Sequence, residues 1–166
     1  MKYNIEAIKI SDWEQVKRIY LEGIKTGIAT FQTEAPSWEN WDKGHLSFCR
    51  LAACYGNDVL GWTALSPTSS RECYRGVAEV SIYVSEKYKG QGIGTALLRS
   101  LIKQSEENGI WTLYCAIIRE NIASISMHKK CGFRESGIRE KIAKTGNGIW
   151  HDVVLMERRS SITGVD

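Results

Sequence analysis

The stretch from Glu79 to Ser100, EVSIYVSEKYKGQGIGTALLRS, constrains this chain's fold more than any other part of it. Val80, Ile82, Tyr83 and Val84 are β-branched or aromatic and predict a strand. Gly90, Gly92 and Gly94 then turn the chain, and Ile93, Leu97, Leu98, Leu101 and Ile102 recur on one face of a helix. Glycines let backbone approach a ligand closely, and the first N–H groups of a helix are unpaired, so a strand feeding such a turn is a device for holding phosphate. Two common phosphate motifs are excluded. No Gly-x4-Gly-Lys-Ser/Thr occurs, and the dinucleotide fingerprint fails because Thr95 and Ala96 follow Gly94 and the next strand, Trp111 to Ile117, offers no acidic residue. A plain connecting turn remains the alternative at this level.

The rest of the chain alternates short strands and helices. Tyr3 to Ile10 predicts a strand, and Ser11 with Glu14 reads as a capping box starting a helix that carries Val16, Ile19, Tyr20 and Ile24. Phe31 lies in a semi-apolar loop, a candidate pocket wall. Pro36-Ser37 opens a second helix with Trp38, Trp41, His45 and Phe48 spaced by three and four, a stripe that core packing explains. Leu51 to Tyr55 and Val59 to Leu65 form a hairpin about Gly56-Asn57-Asp58, and a last hairpin, about Phe133 to Ala143 and Ile149 to Met156, turns at Thr145-Gly-Asn-Gly148. Between them Asn121 caps a short helix through Cys131. The expected fold is a single mixed α/β domain over residues 1–166, with about seven strands in one twisted sheet and helices on both faces. Residues from about 158 to 166, with Arg158 and Arg159, are expected to be a flexible, solvated tail.

Composition narrows the partners. A net charge of +3 with no block of Lys or Arg predicts no nucleic-acid partner. No apolar run approaches the ~20 residues of a membrane span, and the charged N-terminus is not a signal peptide. The five cysteines form no Cys-x-x-Cys pair, which predicts free thiols in a cytoplasmic protein and no metal site.

Lys89-Gly90-Gln91-Gly92-Ile93-Gly94 resembles the pyrophosphate-cradling motif of the GNAT acetyltransferases, with Lys89 where the family has Gln or Arg. Asn121 to Phe133 resembles the family's second signature helix, with His128 where a general-acid Tyr is usual. Thr30 to Glu34, Arg71 to Val84 and Trp150 to Val154 resemble the phosphinothricin and methionine sulfoximine N-acetyltransferase branch, although Val77 and Ala35 replace its frequent Thr and Pro. The resemblance implies acetyl-CoA as co-substrate, a small-molecule amine as acceptor and a homodimer.

It also implies site residues. Pantetheine would lie along Ile82, Tyr83 and Val84, with Lys89 to Thr95, Asn121 and Ser124 around the rest of the cofactor and a backbone N–H of Ile82 or Val84 facing the thioester oxygen. An amine with a pKa of about 8 or higher must lose a proton before it attacks. Glu79, at the edge of the expected cleft, is the candidate base; a surface carboxylate or a partner for Arg75 is its structural alternative. His128 is the candidate acid for the leaving thiolate, with Tyr114 behind it. Arg71 and Arg75 supply the fork that a substrate carboxylate wants, between Phe31 and Tyr74. Other amines, such as a protein N-terminus, and a non-catalytic CoA-binding module are the alternatives.

Overall fold

The computed structural model describes all residues from Met1 to Asp166. In chain order it contains β1 (Asn4–Ala7), α1 (Trp13–Lys25), α2 (Trp38–Gly44), β2 (Leu51–Tyr55), β3 (Asp58–Pro67), β4 (Val77–Val84), α3 (Ile93–Glu107), β5 (Thr112–Ile118), α4 (Ile122–Lys130), β6 (Arg134–Lys144) and β7 (Trp150–Arg159). The seven strands form one sheet in the order β1-β2-β3-β4-β5-β7-β6. Every pairing is antiparallel except β4 with β5. The mixed α/β architecture expected from the sequence is the one observed.

Two apolar layers hold the helices to the sheet. On one face Leu97, Leu98 and Leu101 of α3 pack with Leu60, Leu65, Ala78 and Val80. On the other, Trp13, Val16 and Ile19 of α1 pack with Trp41 of α2 and with Ala52, Trp62 and Ala64. Val16 and Ile19 are fully buried, each worth about 1.5–3 kcal/mol relative to exposure. Alternation along β4 sends Ala78, Val80, Ile82 and Val84 toward α3, and Tyr83 toward α1.

The sheet does not stay closed. β4 pairs with β5 over only three residue pairs, Val77–Thr112, Ala78–Leu113 and Glu79–Tyr114. Beyond Glu79 the strands diverge, with β4 held by β3 as far as Val84 and β5 held by β7 as far as Ile118. The centre of the sheet therefore opens into a wedge.

Local details differ from the sequence expectation in three places. The box at Ser11 and Glu14 is replaced by a short 3-10 turn, in which the Asp12 carboxylate accepts from the Lys9 N–H at 2.8 Å and α1 begins at Trp13. Ser37 does cap α2, accepting from Asn40 N–H, but the helix ends at Gly44 and His45 is extended, so Phe48 leaves the stripe. At the C-terminal end β7 runs to Arg159. Arg158 pairs with Glu106 at 2.9 Å, Ser160 donates to the same carboxylate, and Arg159 donates to the Thr163 and Gly164 carbonyls. These bonds fasten residues 158–164 to the end of α3 and to one another, while Arg159, Ser161, Ile162 and Gly164 remain exposed.

Candidate active site

The wedge is a cavity of about 400 Å³. One wall is Glu79 to Tyr83 of β4, the other Cys115 to Ile118 of β5; Trp62 of β3 and Tyr20, Phe31, Trp41, His45 and His128 from the helices and loops close it. The backbone of β4 is aimed into it. Ser85 N–H donates to Leu60 O, and the register continues as Tyr83 opposite Trp62 and Ser81 opposite Ala64. In an antiparallel ladder alternate residues share both bonds with the partner. Odd-numbered β4 residues therefore turn their N–H and C=O to β3. Val80, Ile82 and Val84 turn theirs to the side from which β5 has departed.

Glu79 sits at the vertex, in the last pair before the strands part. Burial alone raises its carboxyl above the ordinary carboxylate range, and no basic group offsets the shift. It is not the partner of Arg75, whose guanidinium pairs with Glu72 at 3.3 Å. Burial also pushes the Cys115 thiol up to about 12, so that sulfur on the facing wall is neutral and unreactive.

Below the wedge, the glycine turn takes the form of an anion site. Gly90 and Gly92 have φ of +75° and +80°, which non-glycine residues adopt only with strain. Both Cβ positions face open space. The N–H groups of Gly90, Gln91 and Gly92 donate to nothing in the chain, and the first turn of α3 carries no acidic residue. Gly94 has a different reason to be glycine: a Cβ there would lie 2.7 Å from Met127 Sδ of α4. Lys89 pairs with Glu86 at the mouth of the turn. These groups suit a pyrophosphate.

α4 brings the remaining candidates to the cavity. Asn121 Oδ1 accepts from Ser124 N–H at 3.3 Å, capping the helix as expected. Asn121, Ser124 and His128 all line the cavity. The His128 ring stands edge-on to Phe133, with centroids 4.9 Å apart. Tyr114 lies outside the lining residues, and burial and the Glu79 charge raise its hydroxyl pKa, away from use as an acid.

The structure does not bring the sequence-predicted substrate residues together. Phe31 lines the cavity, but Arg71, Tyr74 and Arg75 do not. Arg71 stacks over Tyr74, while Arg75 stacks over Trp111 and pairs with Glu72, so the segment satisfies itself outside the wedge. No Lys or Arg is among the lining residues, and Glu79 is their one carboxylate.

Sequence reasoning missed the aromatic wall. Trp41 is stacked between Trp38 and His45, and its buried Nε1 has no partner, whereas Trp62 Nε1 donates to Val16 O. The Trp38-Trp41-His45 spacing was visible, but it fits core packing equally well, and Trp41 does pack in the core while also lining the cavity.

A model of the acetyltransferase (GNAT) family matches residues 11–133. The L-methionine sulfoximine/L-methionine sulfone acetyltransferase of Pseudomonas aeruginosa is 32% identical over 107 residues, 64% of this chain and 62% of that protein, so the match spans under two thirds of the relative's length. A phosphinothricin acetyltransferase from Sinorhizobium meliloti, solved in complex with AcCoA, superposes with a TM-score of 0.89 at 25% identity, covering 100% of this chain and 92% of the other. A ribosomal-protein-alanine N-acetyltransferase from Brucella melitensis superposes with a TM-score of 0.85 at 26% identity, covering 95% and 99%.

Proposed function

The chain belongs to the GNAT acetyltransferase family, and on that premise we propose that it acetylates the primary amine of a small amino-acid-like substrate of the phosphinothricin, methionine sulfoximine or methionine sulfone type, by direct attack in a ternary complex. The observation that carries this reading is the β4–β5 wedge with Glu79 at its vertex. Acetyl-CoA supplies the activated acetyl group as a thioester. Val80, Ile82 and Val84 offer it strand-like backbone bonds, with the Ile82 or Val84 N–H as donor to the carbonyl oxygen; a fixed donor of that kind is worth about 3–4 kcal/mol. Gly90 to Thr95 and Lys89 hold the pyrophosphate, with Asn121 and Ser124 beside the pantetheine.

Glu79 takes the proton from the incoming ammonium, directly or through one water. Its desolvation supports that role, because a base whose pKa is raised toward the working pH transfers protons more effectively. Tyr20, Phe31 and Trp62 wall the acceptor. The same reading includes a homodimer, supported by Ile138, Ile142, Ile149 and Trp150, which stand exposed on and between β6 and β7.

A second reading, an amine without a carboxylate such as a protein N-terminus, is favoured by one observation: no cationic side chain lines the cavity. Thiol release from acetyl-CoA across a panel of methionine sulfone, methionine sulfoximine, phosphinothricin, their amides and a short peptide separates the two. Turnover of the free acids supports the first reading. Turnover of amides or peptide alone supports the second, and no turnover of any amine would refute both.

A further inference from the structure

His151 is 5% exposed and stands two residues before Val153 on β7, so its ring is on the face of the sheet that Val153 turns to the cavity. It does not itself line the cavity. Both ring nitrogens are engaged. Nδ1 lies 3.0 Å from the Glu120 carboxylate, which can only accept, so that nitrogen carries hydrogen. Nε2 meets the Thr145 hydroxyl at 3.1 Å. Thr145 is fixed in turn within the β6–β7 connection. Its N–H donates to Ile149 O at 3.0 Å, its carbonyl accepts from Gly148 N–H at 2.8 Å, and its hydroxyl donates to Asn147 Oδ1. Glu120, His151 and Thr145 thus form a continuous polar strut from the end of β5, across β7, to the tip of the hairpin. The acetyl transfer described above does not use it.

The strut abuts the loop that carries Phe31. The His151 and Phe31 ring centroids are 6.4 Å apart. At the hairpin tip, a Cβ on Gly146 would lie 3.3 Å from Thr33 Cγ2, and one on Gly27 would lie 3.4 Å from Asn147 Nδ2. Hairpin and loop therefore meet at both ends of residues 27–33. Residues 28–33 belong to no helix or strand and make no backbone–backbone hydrogen bond. Side chains must hold them in place: Tyr83 reaches Thr30 from the β4 side, and the hairpin supports them from the β7 side.

We infer that this strut positions Phe31 and so sets the width of the acceptor site, making Glu120, His151 and Thr145 positioning residues for the amine and not for acetyl-CoA; this rests on the acetyl transfer proposed above, in which Phe31 walls the acceptor. The placement of the contacts favours that division. The strut and the hairpin tip meet the Phe31 loop, whereas the groups assigned to the cofactor stand on β4, the glycine turn and α4. A buried imidazole nitrogen left without a partner is costly, so removing either end of the strut drives the ring to move and loosens the surface against which Phe31 rests.

The test combines 19F spectroscopy of the full chain, labelled with para-fluorophenylalanine at its three phenylalanines, with kinetics. The Phe31 line is the one missing from Phe31→Leu. Thr145→Val removes the hydroxyl at the buried end, and Thr145→Ser keeps one. Glu120→Ala acts at the other end, on a side chain that is 54% exposed, and keeps the test readable if the buried change unfolds the chain. The inference expects the Phe31 resonance to shift in Thr145→Val and Glu120→Ala and to return in Thr145→Ser, while the Phe48 and Phe133 lines stay in place. It expects the first two variants to raise KM for the amine about 5–10-fold, with Thr145→Ser within about twofold of native and KM for acetyl-CoA within about twofold throughout. A Phe31 resonance unmoved in both breaking variants, an amine KM unchanged in both, or a parallel rise in KM for acetyl-CoA overturns it. The 19F arm is read without any acetylation, so a failed amine panel rejects the acetyl transfer, while the strut stands or falls on the Phe31 resonance.

Discussion

A half-buried carboxyl with no cation beside it works against the stability of the fold that holds it. The folded-state pKa of Glu79 is raised by desolvation. Between the ordinary carboxylate value and that raised value the native state binds more protons than the unfolded chain, so stability falls as pH rises through the window and stays lower above it. Glu79→Gln removes the ionisation. It should melt at the same or a higher temperature than the native protein at pH 7–8, with the difference vanishing below the ordinary carboxylate pKa. A lower melting temperature at pH 7–8 would mean that the ionised carboxylate makes a stabilising contact. Glu79 stood out in the sequence as a candidate because it is the one carboxylate within an otherwise apolar or hydroxylic strand. The cavity wall was not readable in the same way, since the aromatic spacing of α2 could not separate a core stripe from a cavity wall.

At the scale of single elements, capping decides two outcomes. Gly92, the N-cap of α3, has φ +80°. Gly92→Ala should cost about 1–2 kcal/mol in denaturant unfolding and raise the Kd for CoA, measured by calorimetry; unchanged CoA affinity would remove the turn from the binding site. Asn121→Ala loses the side-chain bond to Ser124 N–H and should cost about 1 kcal/mol, with a larger proportional loss in kcat than in stability because α4 carries Ser124 and His128. Elements with strong local signals were read correctly: the Gly56 and Gly148 turns, the α3 periodicity and the Asn121 cap. The α1 start was misread because Asp12, reaching back to Lys9, competes with Ser11 for the same role. At the end of the chain, charge signalled solvent but not the contacts of Arg158 with Glu106 and of Arg159 with nearby carbonyls, because those partners are supplied by the fold. Arg71 and Arg75 stand outside the lining of the cavity, with Tyr74, Glu72 and Trp111 as their neighbours, which no local signal in the sequence specified.

The whole molecule adds what no segment contains. β4 and β5 each read as an ordinary strand, and only the sheet order, with β3 holding one and β7 the other, pulls them apart after Glu79. The wedge is thus a property of the long-range pairing. Assembly belongs to the same scale: β6 is an exposed edge strand, and edge strands with apolar side chains favour pairing. The proposed dimer should appear in light scattering of the native protein and give way to a monomer in the double variant Ile142→Asp, Trp150→Asp; a native monomer would contradict the proposal, and a dimer that survives the double variant would place the interface elsewhere. The central claim is that the wedge exists to set an acceptor amine against a thioester beside Glu79. Its most direct measure is the pH dependence of kcat/KM, native against Glu79→Gln, on the best amine of the panel. The account predicts that the native rate rises with pH as base and amine deprotonate, and that the variant is slowed most below the amine's pKa and partly recovers above it. Superimposable profile shapes, differing at most by a constant factor, would contradict it.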